Sequence, residues 1–459
     1  MAFRIILVVA VFCASVVLTS FVSHHVLAVK SFSIDQPLDM PIFDIKLNTN
    51  LKNVGKEEYA TGTLTVKNAG EDCTPALGME FRGRGNSSWR YNKKGYRIKL
   101  ETAYGLLGEG ANRHWVIGAE ATDPSFMRNR VAYGIAREVL DGIEYTTTTH
   151  FIEVWINGDY RGVYQLYEHV RVGGGRVPVS TSRNDVDTGY LVEINGRASG
   201  EDGIAKFFVD GIQNQFEVHS PDADDWYEDP QKYANHPAQV AFIRDYIQQT
   251  FDAMRGNDWD AFTTLADVQS FVDLYVLLEF FKCADTGYAS FYMYKKAGGK
   301  LYAGPAWDFD LSIGTRYGDV DGLVVGTLPK NPKYAQHASI IYHELRKHPE
   351  FNQMVHARWQ EVSGAIKAEV KAIISKEIRE SKAMKRNNDR WGNDMSAMQI
   401  RFQQYETTSS DYAWKVTKYA FANVVTYPIF AAKSDYKGHM DELKSLLSKR
   451  AKYLDKKWA

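Results

Sequence analysis

The sequence predicts an α+β protein that is rich in strands in its first half and mainly helical in its second half. Between residues 36 and 170, short runs of β-branched and aromatic residues alternate with turn residues, which is typical of strands. After residue 330, apolar residues recur at helical spacing up to the end of the chain. Aromatic residues make up 13% of the chain, and this high share favours a fold that contains β-sheet.

The composition excludes several classes of protein. With 44% hydrophobic and 24% charged residues, the chain is neither disordered nor collagenous nor a polytopic membrane protein. Its 55 basic residues nearly balance its 56 acidic residues, so there is no basic excess for binding nucleic acid. Three cysteines among 459 residues exclude a fold that depends on disulfide bonds.

The first 28 residues have the pattern of a targeting segment. Arg4 precedes an uncharged apolar run at 5–22, and Val26-Leu27-Ala28 offers a cleavage site. We therefore expect a signal peptide or a signal anchor at 1–28, and a protein that is secreted or held in the cell envelope. Any contact with a membrane is expected only through this segment.

Strand-like runs dominate the region up to residue 170. Asn157-Gly158 lies between two of them and is a strong hairpin signal, because both residues accept the positive φ of a tight turn. The predicted strands of this region cover 42–48, 61–68, 96–100, 151–156 and 160–166.

Helices are predicted once in the first half and several times in the second half. Asp123 and Pro124 supply an N-cap and a first-turn proline, and apolar residues then recur every four positions from Met127 to Val139. The region 171–266 is predicted to be rich in loops. The other predicted helices cover 238–254, 267–282, 365–379 and 439–458.

A hairpin is predicted next to a group of aspartates. Strand-like runs at 290–295 and 300–305 flank Gly298-Gly299, which is a turn signal. The residue before the first strand and the residue after the second strand lie at the same end of a hairpin. Ala289 is therefore expected to lie near Asp308.

Three carboxylates are predicted to converge at this end. Asp285 follows the helix 267–282, which is apolar nearly all round and so is expected to be buried, and Asp308 and Asp310 follow the hairpin. Converging carboxylates repel each other unless a cation or a proton lies between them. Oxygen ligands of this kind suit Mg²⁺.

A cationic, glycine-containing loop at 81–89 is the second candidate element. Residues 81–100 carry seven basic side chains and no acidic one. Glycines let backbone N–H groups approach an anion, and Arg and Lys bind phosphate oxygens. A nucleotide is the natural counter-anion; a solvated basic strand and a polyanion-binding surface are the alternatives. The loop donors predicted to contact the nucleotide are Arg82, Arg84, Asn86 and Ser87.

Five segments form a specific combination of motifs along the chain. They are RGRGNSSW at 82–89, KKGYRIKL at 93–100, SFMRNRVAY at 125–133, VWINGDYRGVYQLYEHV at 154–170 and WDFDLSIG at 307–314. Together they resemble the spore-coat-protein-H (CotH) kinase family over roughly residues 80–320. The resemblance implies an atypical protein-kinase-like fold and an enzyme that uses ATP with Mg²⁺ or Mn²⁺ to phosphorylate Ser/Thr hydroxyls of surface or extracellular proteins.

The resemblance also implies a domain organisation. It places a kinase-like domain at 36–330, with an N-terminal lobe at about 36–170 and a C-terminal lobe from about 171. The remaining residues, 331–459, are expected to be a helical extension packed on the same domain.

Roles in catalysis follow from the same resemblance. Asp285 corresponds to the catalytic-loop aspartate, which orients the substrate hydroxyl and accepts its proton. Asp308, followed by Phe309 and Asp310, corresponds to the metal-binding aspartate. Ser290 occupies the position five residues after Asp285, where a kinase has a metal-binding Asn. A neutral hydroxyl is a poorer ligand there.

Two further residues are assigned to the nucleotide by resemblance. Lys99 corresponds to the strand lysine that contacts the α- and β-phosphates. Glu168 ends the second hairpin strand, where the hinge of a kinase would hold adenine.

Two other functions compete with a kinase. A glycosidase would also use paired carboxylates, but it leaves the cationic loop unexplained and needs one acid to be protonated. A non-catalytic envelope or coat protein on a degenerate kinase scaffold is the second alternative, and Ser290 is the feature that favours it.

Overall fold

Seven strands from the first part of the chain form a closed barrel, in the order β1-β2-β3-β4-β5-β7-β6. Neighbouring strands are antiparallel except β1 and β6, which close the barrel as a parallel pair. The strands in chain order are β1 Ile42–Leu47, β2 Ala60–Lys67, β3 Leu77–Arg84, β4 Gly95–Tyr104, β5 Asn112–Gly118, β6 Thr149–Ile156 and β7 Asp159–Glu168.

The computed structural model describes most of the chain. The predicted targeting segment 1–28 and the predicted catalytic residue Asp285 lie outside the described residues. Pro37–Ala459 form one compact unit. Among the helices that are described, none is long and apolar enough to cross a lipid bilayer. The described residues are 39–200, 204–221, 236–283, 286–315, 319–329, 336–391 and 435–459.

The alternation of side chains along β4 separates the barrel core from a basic outer face. Tyr96, Ile98 and Leu100 are buried in the core of the barrel. Arg97 and Lys99 alternate with them and are half-buried on the other face. This division of β4 agrees with the prediction.

The closed barrel corrects one expectation. The resemblance implied a kinase-like N-terminal lobe, whereas here the pairing of β1 with β6 joins the two edges of the sheet and leaves no free edge. The region is rich in strands, as predicted, but its topology is that of a barrel.

Part of the predicted cationic loop is a strand. Residues up to Arg84 belong to β3, and a short 3-10 helix follows at Ser87–Arg90. Gly83 suggested a loop, but a Cβ at this position would lie 2.2 Å from the ring of Trp89. Glycine is therefore present because the indole packs against the strand.

The helix in the first half begins later than predicted. Helix α1 spans Arg128–Glu138, with Val131 and Ile135 buried on its apolar face. Asp123 is therefore not the residue directly before the helix, as an N-cap would be. Instead, the Asp123 carboxylate reaches across a turn and accepts the backbone N–H of Arg128 at 2.8 Å.

A second sheet combines the predicted hairpin with three strands from the region 171–266, which was predicted to be rich in loops. Its order is β12-β11-β8-β10-β9. All residues of β8 are buried, and its polar alternation is limited to Glu193 and Asn195, which is too short to distinguish the strand from a loop. The predicted hairpin is confirmed as β11 and β12. The bounds are β8 Tyr190–Asn195, β9 Lys206–Phe207, β10 Gln215–Ser220, β11 Phe291–Lys295 and β12 Leu301–Ala303.

Helices cover one side of this sheet and form most of the second half. The helix predicted at 365–379 begins earlier, at Pro349, because Phe351, Val355 and Trp359 also pack into the core. Residues 382–391 are helical as well. The remaining helices are α2 His236–Arg255, α3 Trp259–Leu265, α4 Val268–Phe281, α5 Ile340–Leu345, α6 Pro349–Ile373, α7 Lys376–Arg379 and α8 Tyr436–Lys457.

Helix α4 is buried, as its all-round apolar sequence predicts. Glu279 is inaccessible to solvent, and its carboxylate accepts the backbone N–H of Val325 at 2.8 Å. The guanidinium of Arg450 on α8 donates to the same carboxylate at 2.9 Å. Helix α8 thus fixes α4, which ends shortly before Asp285.

Candidate active site

The segment after β12 carries Asp308 and is fixed by α1. The Asp308 N–H donates to the hydroxyl of Tyr133 at 3.1 Å, and the Phe309 N–H donates to Oδ1 of Asn129 at 2.7 Å. Asp308 has a φ of 70°, in the left-handed region that is unfavourable for a residue with a Cβ. The contacts from α1 hold this strained residue in place, and strain of this kind is typical of functional sites.

Ser290 lies beside Asp308 at the other end of the hairpin. Its hydroxyl donates to Oδ2 of Asp308 at 3.2 Å. Its backbone N–H donates to Oε1 of Glu193 at 2.9 Å, and its φ of 62° is also left-handed. The hairpin therefore brings its two ends together, as predicted.

Asp310 is the second carboxylate of the segment and is half-buried. The hydroxyl of Thr122 donates to its Oδ2, and the backbone N–H of Leu311 donates to its Oδ1 at 2.9 Å. Burial, together with the nearby charge of Asp308, raises the pKa of Asp310 well above its ordinary value. A cation between the two carboxylates would remove this repulsion.

The carboxylates open into a narrow cleft of about 70 Å³. The Arg84 guanidinium lies over the ring of Trp307 at 5.3 Å, and Trp307 stacks on Tyr133 at 5.8 Å. A small-molecule pocket usually has at least about 300 Å³. The cleft therefore has room for a cation and phosphate oxygens, while a nucleoside would lie outside it. Its polar lining includes Arg84, Ser88, Glu120, Thr122, Asn129, Asp308 and Asp310.

Glu120 is a third carboxylate in the cleft, and the sequence analysis did not single it out. It accepts hydrogen bonds from Nδ2 of Asn129 at 3.0 Å and from the hydroxyl of Tyr167. Asn129 also binds Phe309, so it links Glu120 to the Asp308 segment. Burial raises the pKa of Glu120 to about 7. The sequence signal that could have pointed to Glu120 was the motif at 125–133, because this motif contains its partner Asn129.

We expect Glu120→Gln to reduce the pH dependence of stability. Because the pKa of about 7 in the folded state lies above the ordinary 4.5, the folded protein holds the Glu120 proton more tightly than the unfolded chain. The free energy of unfolding should therefore fall between pH 4.5 and 7, by ~3 kcal/mol from this group. Chemical denaturation at pH 5 and pH 8 measures the difference.

The exposed Glu71 on the barrel provides the control for this comparison. Glu71→Gln should lose as much stability between the two pH values as the unaltered protein. The same loss in Glu120→Gln would contradict a raised pKa at Glu120.

Among the residues predicted to bind nucleotide, Arg84 lines the cleft. Arg82 lies over the ring of Tyr59 at 4.7 Å instead. The Lys99 ammonium forms an ion pair with Glu80 at 3.1 Å on the outer face of the barrel. The structure thus brings Arg84, but neither Arg82 nor Lys99, to the residues that line the cleft.

Glu168, Asn86 and Ser87 occupy other positions. Glu168 is buried and accepts hydrogen bonds from Nε of Arg176 at 3.4 Å and from the hydroxyl of Tyr145 at 3.3 Å. Burial raises its pKa. Asn86 is exposed, and Ser87 begins the 3-10 helix that follows it. The role of Glu168 in binding adenine stays a prediction.

Lys93 belongs to the motif at 93–100 and is buried behind the cleft. Its ammonium donates to the carbonyl oxygens of Ala119, at 2.8 Å, and of Val163. Burial lowers its pKa well below the usual value. Because Ala119 precedes Glu120, Lys93 holds the chain that carries this carboxylate. Lysine is rarely buried, so its position could not be predicted from residue type.

The segments on both sides of Asp285 are anchored. The Cys283 N–H donates to the carbonyl of Leu278 at 2.8 Å, and Nδ2 of Asn214 donates to the Gly287 carbonyl at 2.6 Å. A Cβ at Gly287 would lie 2.0 Å from the carbonyl oxygen of Ala338. Glycine is thus needed for the close approach of the two chains.

The chain matches the model of a known protein family. A family model described as "CotH kinase protein" matches residues 81–454. The chain belongs to the CotH kinase family. The match runs from β3 to α8 and covers most of the chain, so the resemblance found in the sequence is confirmed. No curated protein matches the chain closely enough to count as a relative.

Membership of the CotH kinase family indicates a kinase-like protein, and three of the sequence motifs meet at the cleft. The motif at 82–89 contributes Arg84, the motif at 125–133 contributes Asn129 and Tyr133, and the motif at 307–314 contributes Asp308. Segments that are far apart in the chain thus form one site.

Proposed function

We propose that this protein transfers the γ-phosphate of ATP to Ser/Thr hydroxyls of surface or extracellular proteins. The observation that carries the proposal is the fixed, strained Asp308 beside Asp310, with Arg84 lining the same cleft. Carboxylates for a metal and a guanidinium for phosphate oxygens are the elements that phosphoryl transfer requires.

The donor set fits Mg²⁺ or Mn²⁺. Asp308 and Asp310 offer carboxylate oxygens and Ser290 offers a hydroxyl, and hard divalent cations prefer oxygen ligands. Burial and the nearby charge of Asp308 raise the pKa of Asp310, and a divalent cation between the two carboxylates would offset both effects. A bound Mg²⁺ or Mn²⁺ supplies the positive charge that stabilises the transferring phosphoryl group.

The protein's own residues would act as follows. Asp285 orients the substrate hydroxyl and takes its proton while the hydroxyl oxygen bonds to the γ-phosphorus. The bond from this phosphorus to the β–γ bridging oxygen breaks, and ADP leaves. Asp308 and Asp310 hold the metal, and Arg84 contacts phosphate oxygens.

We expect Arg84→Ala to raise KM for ATP by about 10- to 100-fold, because a charge-assisted contact to phosphate contributes roughly 1.5–3 kcal/mol. Lys99→Ala is the matched comparison, since the ammonium of Lys99 pairs with Glu80. It should change KM less than Arg84→Ala does. A larger effect of Lys99→Ala in steady-state kinetics would support the role implied by resemblance and contradict ours.

A non-catalytic coat or envelope protein is the second candidate, favoured by Ser290 in the position of a metal-binding Asn. The Ser290 hydroxyl donates to Asp308, so it lies where that ligand is needed. Transfer of γ-phosphate separates the two functions. Nucleotide binding without transfer would support the second candidate.

Export is part of the proposal and rests on residues 1–28. A reporter protein fused after residue 30 should leave the cytoplasm. Retention of the full-length protein in the cytoplasm would contradict the prediction that residues 1–28 are a targeting segment, and it would point to intracellular substrates.

A further inference from the structure

The second sheet carries three potential metal ligands on one face. Glu193 on β8 lies directly opposite Glu217 on β10, so both side chains leave the same face of the sheet. His219 follows Glu217 by two residues, at a β-bulge between Val218 and Ser220, and its imidazole lies close to both carboxylates. One ligand atom from each side chain lies within 4.8 Å of the other two.

This arrangement concentrates negative charge at a buried position. Glu193 and Glu217 are 8% and 1% exposed, and like charges directly opposite each other destabilise a sheet. Lys206 on β9 lies opposite Glu217 in the strand register, and its ammonium donates to the carbonyl of Ala198. The imidazole of His219 lies beside both carboxylates, and a divalent cation in this place would offset their charge more fully than one imidazole does.

The separations of the ligand atoms suit a metal centre. Nε2 of His219 lies 2.9 Å from Oε2 of Glu193 and 3.9 Å from Oε2 of Glu217. Ligand atoms about 2.1 Å from one ion lie about 3.0 Å apart in octahedral geometry and about 3.4 Å apart in tetrahedral geometry. The observed separations bracket these values, so small shifts would place all three atoms around one ion.

Neutral donors orient the carboxylates from outside. Nδ2 of Asn195 donates to Oε2 of Glu217 at 2.9 Å, and the Ser290 N–H donates to Oε1 of Glu193 at 2.9 Å. Outer contacts of this kind fix the ligands of metal sites. The Ser290 hydroxyl reaches Asp308, so a single residue separates this cluster from the cleft.

We propose that Glu193, Glu217 and His219 bind a divalent transition-metal cation, Mn²⁺ or Zn²⁺, at a site distinct from that of Asp308 and Asp310. The imidazole selects against Mg²⁺, which prefers oxygen ligands alone. By fixing Glu193, the ion holds the backbone of Ser290 against Asp308. The binding of this ion requires neither nucleotide nor phosphate transfer, so it stands apart from the proposed function.

Calorimetric titration of the purified protein without nucleotide tests the site, with MnCl₂, ZnCl₂ and MgCl₂ as separate ligands. The Asp308→Asn variant serves as the background, because it removes a ligand of the other site. We expect one Mn²⁺ or Zn²⁺ per chain and at least about tenfold weaker binding of Mg²⁺. Titration with Co²⁺ should give a visible absorption spectrum that changes in His219→Ala.

His219→Ala and Glu217→Gln should each weaken binding by at least about tenfold in this background. His150→Ala is the matched control, since Nε2 of His150 also lies close to a carboxylate, 2.5 Å from Oε1 of Glu109, but faces only one. It should bind metal like its parent. Circular dichroism checks folding, and Glu217→Gln, which keeps the shape of the side chain, carries the test if His219→Ala misfolds.

Two results would overturn the site: the absence of nucleotide-independent Mn²⁺ or Zn²⁺ binding, or equal binding in Glu217→Gln and its parent. Either would make the cluster a hydrogen-bonded group only. Metal binding in a protein that transfers no phosphate would uphold this site and remove the kinase proposal, so the two failures are distinguishable.

Discussion

Asp308→Asn is expected to abolish phosphate transfer and most of the metal-dependent binding of ATP. The substitution removes a negative charge from the ligand set while keeping the shape of the side chain and the backbone contacts to Tyr133 and Asn129. Because metal stabilisation of a transferring phosphoryl group contributes several kcal/mol, transfer should fall by about 10³-fold or more. Calorimetry with ATP in Mg²⁺ and in EDTA measures the binding.

Asp321 supplies the control for this variant, because it is an exposed aspartate 13 residues further along the chain. Asp321→Asn should bind ATP and transfer phosphate like the unaltered protein. Equal affinity of the unaltered protein for ATP in Mg²⁺ and in EDTA would contradict a metal role for Asp308.

Asp285→Ala should abolish transfer while ATP and metal binding stay nearly intact. The expected division of labour is that Asp285 faces the incoming hydroxyl, whereas Asp308 holds the metal on the phosphates. Removing a positioning base typically costs about 10² to 10⁴ in rate. Single-turnover kinetics and calorimetry on the same sample separate the two effects.

Ser290→Asn is the companion variant, since it restores the residue type expected of a kinase beside Asp308. It should maintain or raise activity and lower the metal concentration that is needed. If Asp285→Ala lost ATP binding as well, Asp285 would be a metal ligand. Full transfer activity in Asp285→Ala would place the base elsewhere.

Local patterns in the sequence predicted much of the fold. The alternation in β4, the Asn157-Gly158 turn and the apolar helix α4 each have a local signal that the structure confirms. Closure of the barrel had no such signal, because the pairing of β1 with β6 joins segments about a hundred residues apart. Strand β8 was missed because it is buried on both faces.

In the candidate site, too, local patterns predicted some positions and missed those that depend on tertiary contacts. The hairpin rule placed Ser290 beside Asp308, because the two residues belong to neighbouring elements. Glu120 and Lys93 come from separate parts of the barrel, and their positions depend on tertiary hydrogen bonds to Asn129 and Ala119. Lys99 fitted the motif of a phosphate-binding lysine, but Glu80 lies opposite it on β3 and pairs with it.

Incubation of the purified protein with γ-labelled ATP and Mg²⁺ or Mn²⁺ tests the central claim most directly. We predict that label appears on Ser or Thr residues of the protein itself, and that Asp308→Asn and Asp285→Ala show none. ATP binding by the unaltered protein without any transfer of label, to itself or to extracellular proteins offered as substrates, would contradict the account.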